Sequence, residues 1–83
     1  MGEMHTRKDI VKALELDRDG DWDGAHRIVQ RIETRDANRV HAYLHREEGD
    51  LGNANYWYRR AGTRMPDESQ KSEWQVLWDD MSG

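Results

Sequence analysis

Apolar side chains recur along this chain at intervals of three and four and almost nowhere at intervals of two, a pattern that predicts helices and no sheet. Trp22, Ala25, Ile28, Val29 and Ile32 make one stripe. Leu51, Ala54, Trp57, Tyr58, Ala61 and Met65 make a second, with Arg59 and Arg60 on its flanks or far side. Trp74, Leu77, Trp78 and Met81 make a third that leaves Lys71, Glu73 and Asp79 outside. Ile10, Ala13, Leu14 and Asp17 lie along one side of a first helix, and Val40 and Leu44 anchor a helix between the second and fourth pieces. Gly20, Gly49 and the Met65-Pro66 step fall at the junctions, where left-handed turns and helix stops belong. Five helices are expected, over 6–18, 22–34, 37–48, 51–64 and 67–81, the last opened by a capping box of Asp67 and Gln70.

The chain repeats itself at an offset of 29 residues. Ala13 falls on Ala42, Gly20-Asp21 on Gly49-Asp50, Ala25 on Ala54 and Arg31 on Arg60, while Trp22, Ile28 and Val29 fall on Leu51, Trp57 and Tyr58. Each unit reads as helix, Gly-Asp turn, helix with Ala at its fourth position. A side chain that small lets two helix backbones approach closely, as an antiparallel hairpin requires.

The segment 40–66 resembles a tetratricopeptide-type (Sel1-like) hairpin: Ala42 on the first helix, Gly49 and Asp50 at the turn, then Ala54, Tyr58, Ala61 and Pro66. The earlier unit carries Ala13, Leu16, Gly20, Asp21 and Ala25, with Ile32 where the second small residue would stand. The family repeat is about 34 residues, longer than the one here. This resemblance, over residues 10–66, implies an all-α fold of two stacked antiparallel hairpins (6–34 and 37–64), with 67–81 as a helix capping the apolar face of the fourth. The runs 21–26, 41–50 and 53–62 also resemble a family of small uncharacterised bacterial proteins, which implies no mechanism.

Composition narrows the functional classes. Eighty-three residues, 35% hydrophobic and 36% charged, suffice for one domain with a thin core, in which four Trp and three Tyr supply much of the buried area. The absence of Cys removes disulfides, thiolate metal sites and cysteine nucleophiles. A net charge of −4 gives no long-range attraction for a polyanion, which argues against nucleic acid despite the aromatic and basic side chains between Asn53 and Arg60. No apolar run reaches membrane-spanning length, and MGEMHTRKDI lacks a signal-peptide core, so a cytoplasmic protein is expected. Asp17, Asp19, Asp21 and Asp23 lack the spacing of a calcium loop and read as turn chemistry plus negative charge at a helix N-terminus.

Two functional readings emerge. In the first, the chain is a helical-repeat module for a protein or peptide partner, or for a second copy of itself through aromatic surface around Trp57, Trp74 and Trp78. Its expected binding residues are His41, Tyr43, His45, Arg46, Asn53, Tyr56, Arg59 and Arg60, with Glu47 beside Tyr43 and Arg46; Arg59 with Tyr56 would suit a small anion. In the second, His41 and His45, four apart on one helical face, join His26 and Glu48 in a ligand site, metal site or small active site. Spacing alone favours interior histidines hydrogen-bonded to carboxylates or carbonyls, so it assigns no metal or cofactor. Serines confined to positions 69, 72 and 82 offer no Ser-His nucleophile, and catalysis is not expected.

Overall fold

The computed structural model describes residues 6–83, and they are helical: α1 (Thr6–Arg18), α2 (Trp22–Val29), α3 (Arg35–Glu47), α4 (Leu51–Arg60) and α5 (Gln70–Ser82). Helices α1 and α2 pack as one hairpin and α3 and α4 as another, α2 lies on α3, and α5 packs against α1 and α3.

The two hairpin corners are built alike. Gly20 and Gly49 sit at φ 95° and 88°, a left-handed backbone that glycine adopts without steric cost. At the first corner Gly20 N–H donates to Asp17 O and Asp21 N–H to Leu16 O; at the second, Gly49 N–H donates to Arg46 O and Asp50 N–H to His45 O. This is the Schellman closure, which satisfies the last carbonyls of one helix. The next residue then caps the following helix, Asp21 accepting from Gly24 N and Asp50 from Asn53 N. Ala25, Ala42 and Ala54, all fully buried, stand where the backbones approach.

Three helix ends differ from the sequence reading by three residues or more, each for a local reason. Helix α2 stops at Val29 rather than 34, and Thr34 instead caps α3 by accepting from Ala37 N at 3.1 Å. Helix α4 stops at Arg60 rather than 64 because Gly62 turns left-handed at φ 77°. Helix α5 is opened by Ser69, which accepts from Ser72 N at 3.1 Å, and not by an Asp67–Gln70 box.

The larger part of the core joins Ile10, Ala13 and Leu14 of α1, Ala25 and Val29 of α2, Val40, Tyr43 and Leu44 of α3, and Leu77 and Met81 of α5. Trp74 and Trp78 stack on each other and pack at its edge, with Trp74 Nε1 donating to Leu14 O at 3.2 Å. Helix α5 therefore does not cap the apolar face of α4. It runs back to α1, and Arg7 donates to the carbonyls of Asp80 and Met81 near its C-terminal end. A smaller cluster of Ala42, Ala54 and Tyr58 closes the second hairpin, with Trp57 and Met65 against it. Leu51, expected in the apolar stripe, opens α4 beside its cap and stays 51% exposed.

Glu73, expected on the outer face of α5, is buried. Tyr58 donates its hydroxyl to both Glu73 carboxylate oxygens, at 2.8 and 2.7 Å, and Arg46 Nη1 donates to Oε1 at 2.8 Å. One buried, hydrogen-bonded carboxyl group thus ties α3, α4 and α5 together. No helix among the described residues is long and apolar enough to cross a membrane.

Candidate functional site

Helical spacing brings the histidines together. Trp22 and His26 are four apart on α2, His41 and His45 four apart on α3, and residues so spaced share a face. The two pairs meet where α2 lies on α3. His26 Nε2 and His41 Nε2 are 3.1 Å apart, one donating to the other. Ring centroids are separated by 4.7 Å (His26–His41), 5.1 Å (His26–His45) and 5.0 Å (His41–His45). One nitrogen from each of the three rings lies within 4.8 Å of those of the other two.

Two tryptophans wall the cluster. Trp22 stacks on His26 at 4.8 Å with 10° between planes, and its Nε1 donates to Leu44 O at 2.7 Å, which locks the indole. Trp57, from α4, stacks on His41 at 3.9 Å and 17°. His41 and His45 are buried, while His26 is half-buried and forms the edge nearest solvent. His45 Nδ1 lies 2.8 Å from Glu48 Oε2. With Glu48 ionised, Nδ1–H donates to the carboxylate and Nε2 is left as the free lone pair. This carboxylate–histidine pairing fixes tautomer and ring orientation in metal sites.

Burial, followed by the neighbouring His26 and His45 rings, pushes His41 down to about 3. Burial and then His45 lower His26 as well, against the opposing pull of Glu48 and Asp23. Both rings are therefore neutral at physiological pH, the form that binds a cation. His41 Nδ1 is buried without a hydrogen-bond partner. Such an orphan costs about 1–3 kcal/mol in a fold with nothing to offset it.

Other expected binding residues are dispersed. Tyr43 is buried, pointing the opposite way around α3 from the histidines, because two positions along a helix turn a side chain by about 200°. Arg46 is committed to Glu73 and, through Nη2, to Glu68 O at 2.7 Å, so it offers no free recognition surface. Asn53 turns back onto Asp50. Tyr56, Arg59 and Arg60 do lie exposed on α4. The Tyr56 hydroxyl, however, accepts from Arg60 at 3.2 Å rather than pairing with Arg59, and Arg60 also reaches Glu33 at 3.1 Å and lies over the Trp57 ring at 5.2 Å. Of the four aspartates read as turn chemistry, Asp21 is a cap and Asp23 lies in the first turn of α2, whereas Asp17 is buried.

Sequence reasoning missed the roles of Trp22, Trp57 and Glu73. The Trp22–His26 spacing was a usable signal for the first. Neither Trp57 against His41 nor Glu73 beneath Tyr58 follows from spacing within one helix, since both depend on how helices cross. No family model, curated protein or solved structure matches this chain.

Proposed function

We propose that this chain is a metal-binding helical protein in which His26, His41 and His45 hold a divalent transition ion, with Glu48 orienting His45. The observation that carries this reading is the convergence of three imidazole nitrogens within 4.8 Å, from two helices, on a partly buried site. The closest pair is already near coordination spacing: two nitrogens on a tetrahedral zinc sit about 3.3 Å apart, given Zn–N bonds of about 2.0–2.1 Å. The third ligand, from His45, lies within 4.8 Å of both. Nitrogen ligands without thiolate or multiple carboxylates suit zinc, copper or nickel rather than calcium or magnesium. Three protein ligands leave a position for water or a small ligand, and half-buried His26 supplies the solvent edge.

The test is metal analysis of protein loaded with zinc and then dialysed, with cobalt as a spectroscopic substitute. The expected result is one zinc per chain, a higher melting temperature, and visible cobalt bands of tetrahedral intensity, all lost in His41→Gln. Absence of retained zinc together with unchanged melting overturns the reading.

A second reading, a helical-repeat module for a protein partner or a second copy, is favoured by the exposed face of α4, where Leu51 is 51% and Tyr56 44% accessible beside Arg59. Light scattering at high concentration tests self-association, and a strict monomer removes that version.

A further inference from the structure

A second feature lies on the side of α3 turned away from the histidines. Asp17 of α1, Tyr43 and Glu47 of α3, and Lys71, Trp74 and Gln75 of α5 line a cleft of about 470 Å³. That volume is within the range of small-molecule sites, roughly 300–1,000 Å³. Two polar side chains in its wall are almost wholly buried: Asp17 is 7% and Tyr43 4% accessible. Among the described residues the Tyr43 hydroxyl makes no hydrogen bond, and its oxygen keeps access to the cleft although the rest of the side chain is buried. The Asp17 and Glu47 carboxyls lie in hydrogen-bonding contact, which requires one of the two to hold a proton. A cation seated between them takes the place of that proton and lets both acids ionise. Arg18, also in the wall, pairs with Asp19 at 3.5 Å and lies 5.8 Å from the centroid of Trp74 and 5.7 Å from that of Trp78, so it is not paired with Asp17 or Glu47.

We propose that this cleft binds a small organic ammonium ligand, its charged head among the Asp17 and Glu47 carboxylates and the Tyr43 hydroxyl, its alkyl chain along Trp74. An ammonium carries three N–H donors and no acceptor, which matches two carboxylates and one phenol oxygen. A hard divalent ion fits worse, since calcium takes six to eight oxygen ligands and the cleft offers fewer. The indole wall suits an alkylammonium, whose methylenes need apolar contact and whose charge gains from an aromatic face.

The experiment titrates the full chain with n-butylamine and putrescine, and with n-butanol as the uncharged isostere, following the Trp74 indole proton and Tyr43 ring signals by NMR. Both amines are expected to bind at submillimolar to millimolar concentration, shifting those signals, while butanol leaves them unmoved. Glu47→Gln, a substitution at an exposed position, is expected to weaken amine binding about tenfold or more, as loss of a charge-assisted hydrogen bond does. Asp17→Asn is expected to do the same if it retains the native circular-dichroism spectrum, and Glu47→Gln carries the test alone if it does not. Equal responses to butylamine and butanol, or amine binding undiminished in Glu47→Gln, overturn the proposal. Zinc loading leaves the titration unchanged, since His41 and His45 face the other way, so failure here and failure of the metal reading are separable.

Discussion

At the residue scale, the defining choice is to bury imidazole. His41 is 4% accessible, sandwiched between Trp57 and the other two rings, and this makes its protonation a direct opponent of folding. An unfolded chain protonates this residue near pH 6.5, the folded chain only near 3. Between those values the unfolded state binds more protons, so stability falls as pH falls through the window and is fully restored above it. Urea midpoints of metal-free protein are therefore expected to drop by the equivalent of a few kcal/mol between neutrality and about pH 4. His41→Gln, which cannot charge, is expected to flatten that part of the profile; a variant profile parallel to the wild type removes the assignment. The spacing of His41 and His45 was legible in the chain, and so was their place near a packed face. Their company was not, because His26 and Trp57 arrive from other helices.

At the scale of elements, the hairpins rest on two different small-residue requirements that mutagenesis can separate. Gly49 needs no space, since a Cβ there meets nothing within 4 Å, but it does need its left-handed φ of 88°. Gly49→Ala is expected to cost about 1–2 kcal/mol through backbone strain alone. Ala54 is the reverse: its backbone is ordinary helix, while its side chain is fully buried against α3. Ala54→Leu is expected to cost about 1–3 kcal/mol by forcing the helices apart, and to disturb the Trp57–His41 stack on the way. Denaturant unfolding measures both, and the near-ultraviolet spectrum distinguishes them: only the second changes the tryptophan environment. The Gly-Asp corners were readable in advance because a φ requirement and a capping requirement are local. Helix ends were less so. Thr34 and Ser69 win their capping positions through hydrogen bonds to Ala37 N and Ser72 N, in segments where several other polar residues were equally eligible.

At the scale of the whole molecule, five short helices reach a radius of gyration of 11.5 Å, close to the roughly 11.8 Å expected of a compact chain of this length. So small a domain has little apolar surface to spare. The Arg46–Glu73–Tyr58 network adds orientation, fixing α5 relative to both helices of the second hairpin. Glu73→Ala leaves the Arg46 guanidinium without its carboxylate in a largely buried setting, and is expected to destabilise by about 3–5 kcal/mol. Calorimetric melting of Glu73→Ala against Glu73→Gln, which retains an acceptor for Tyr58, measures it. A loss below about 1 kcal/mol would mean that the network orients α5 without stabilising it.

What the chain alone determined is whatever repeats or closes within a few residues: the 3.6-residue apolar stripes, the paired Gly-Asp corners, the alanines at the hairpin contacts, and a histidine pair on one face of α3. These are local because backbone geometry and helical period act over one or two turns. Tertiary structure decided the rest: that α5 returns to α1 instead of covering α4, that Glu73 and Asp17 go inside, that Tyr43 lines a cleft, and that His26 completes a trio. An acid or an imidazole is buried only where another helix supplies its partner, and the partner's identity depends on how helices cross, which no single helix encodes.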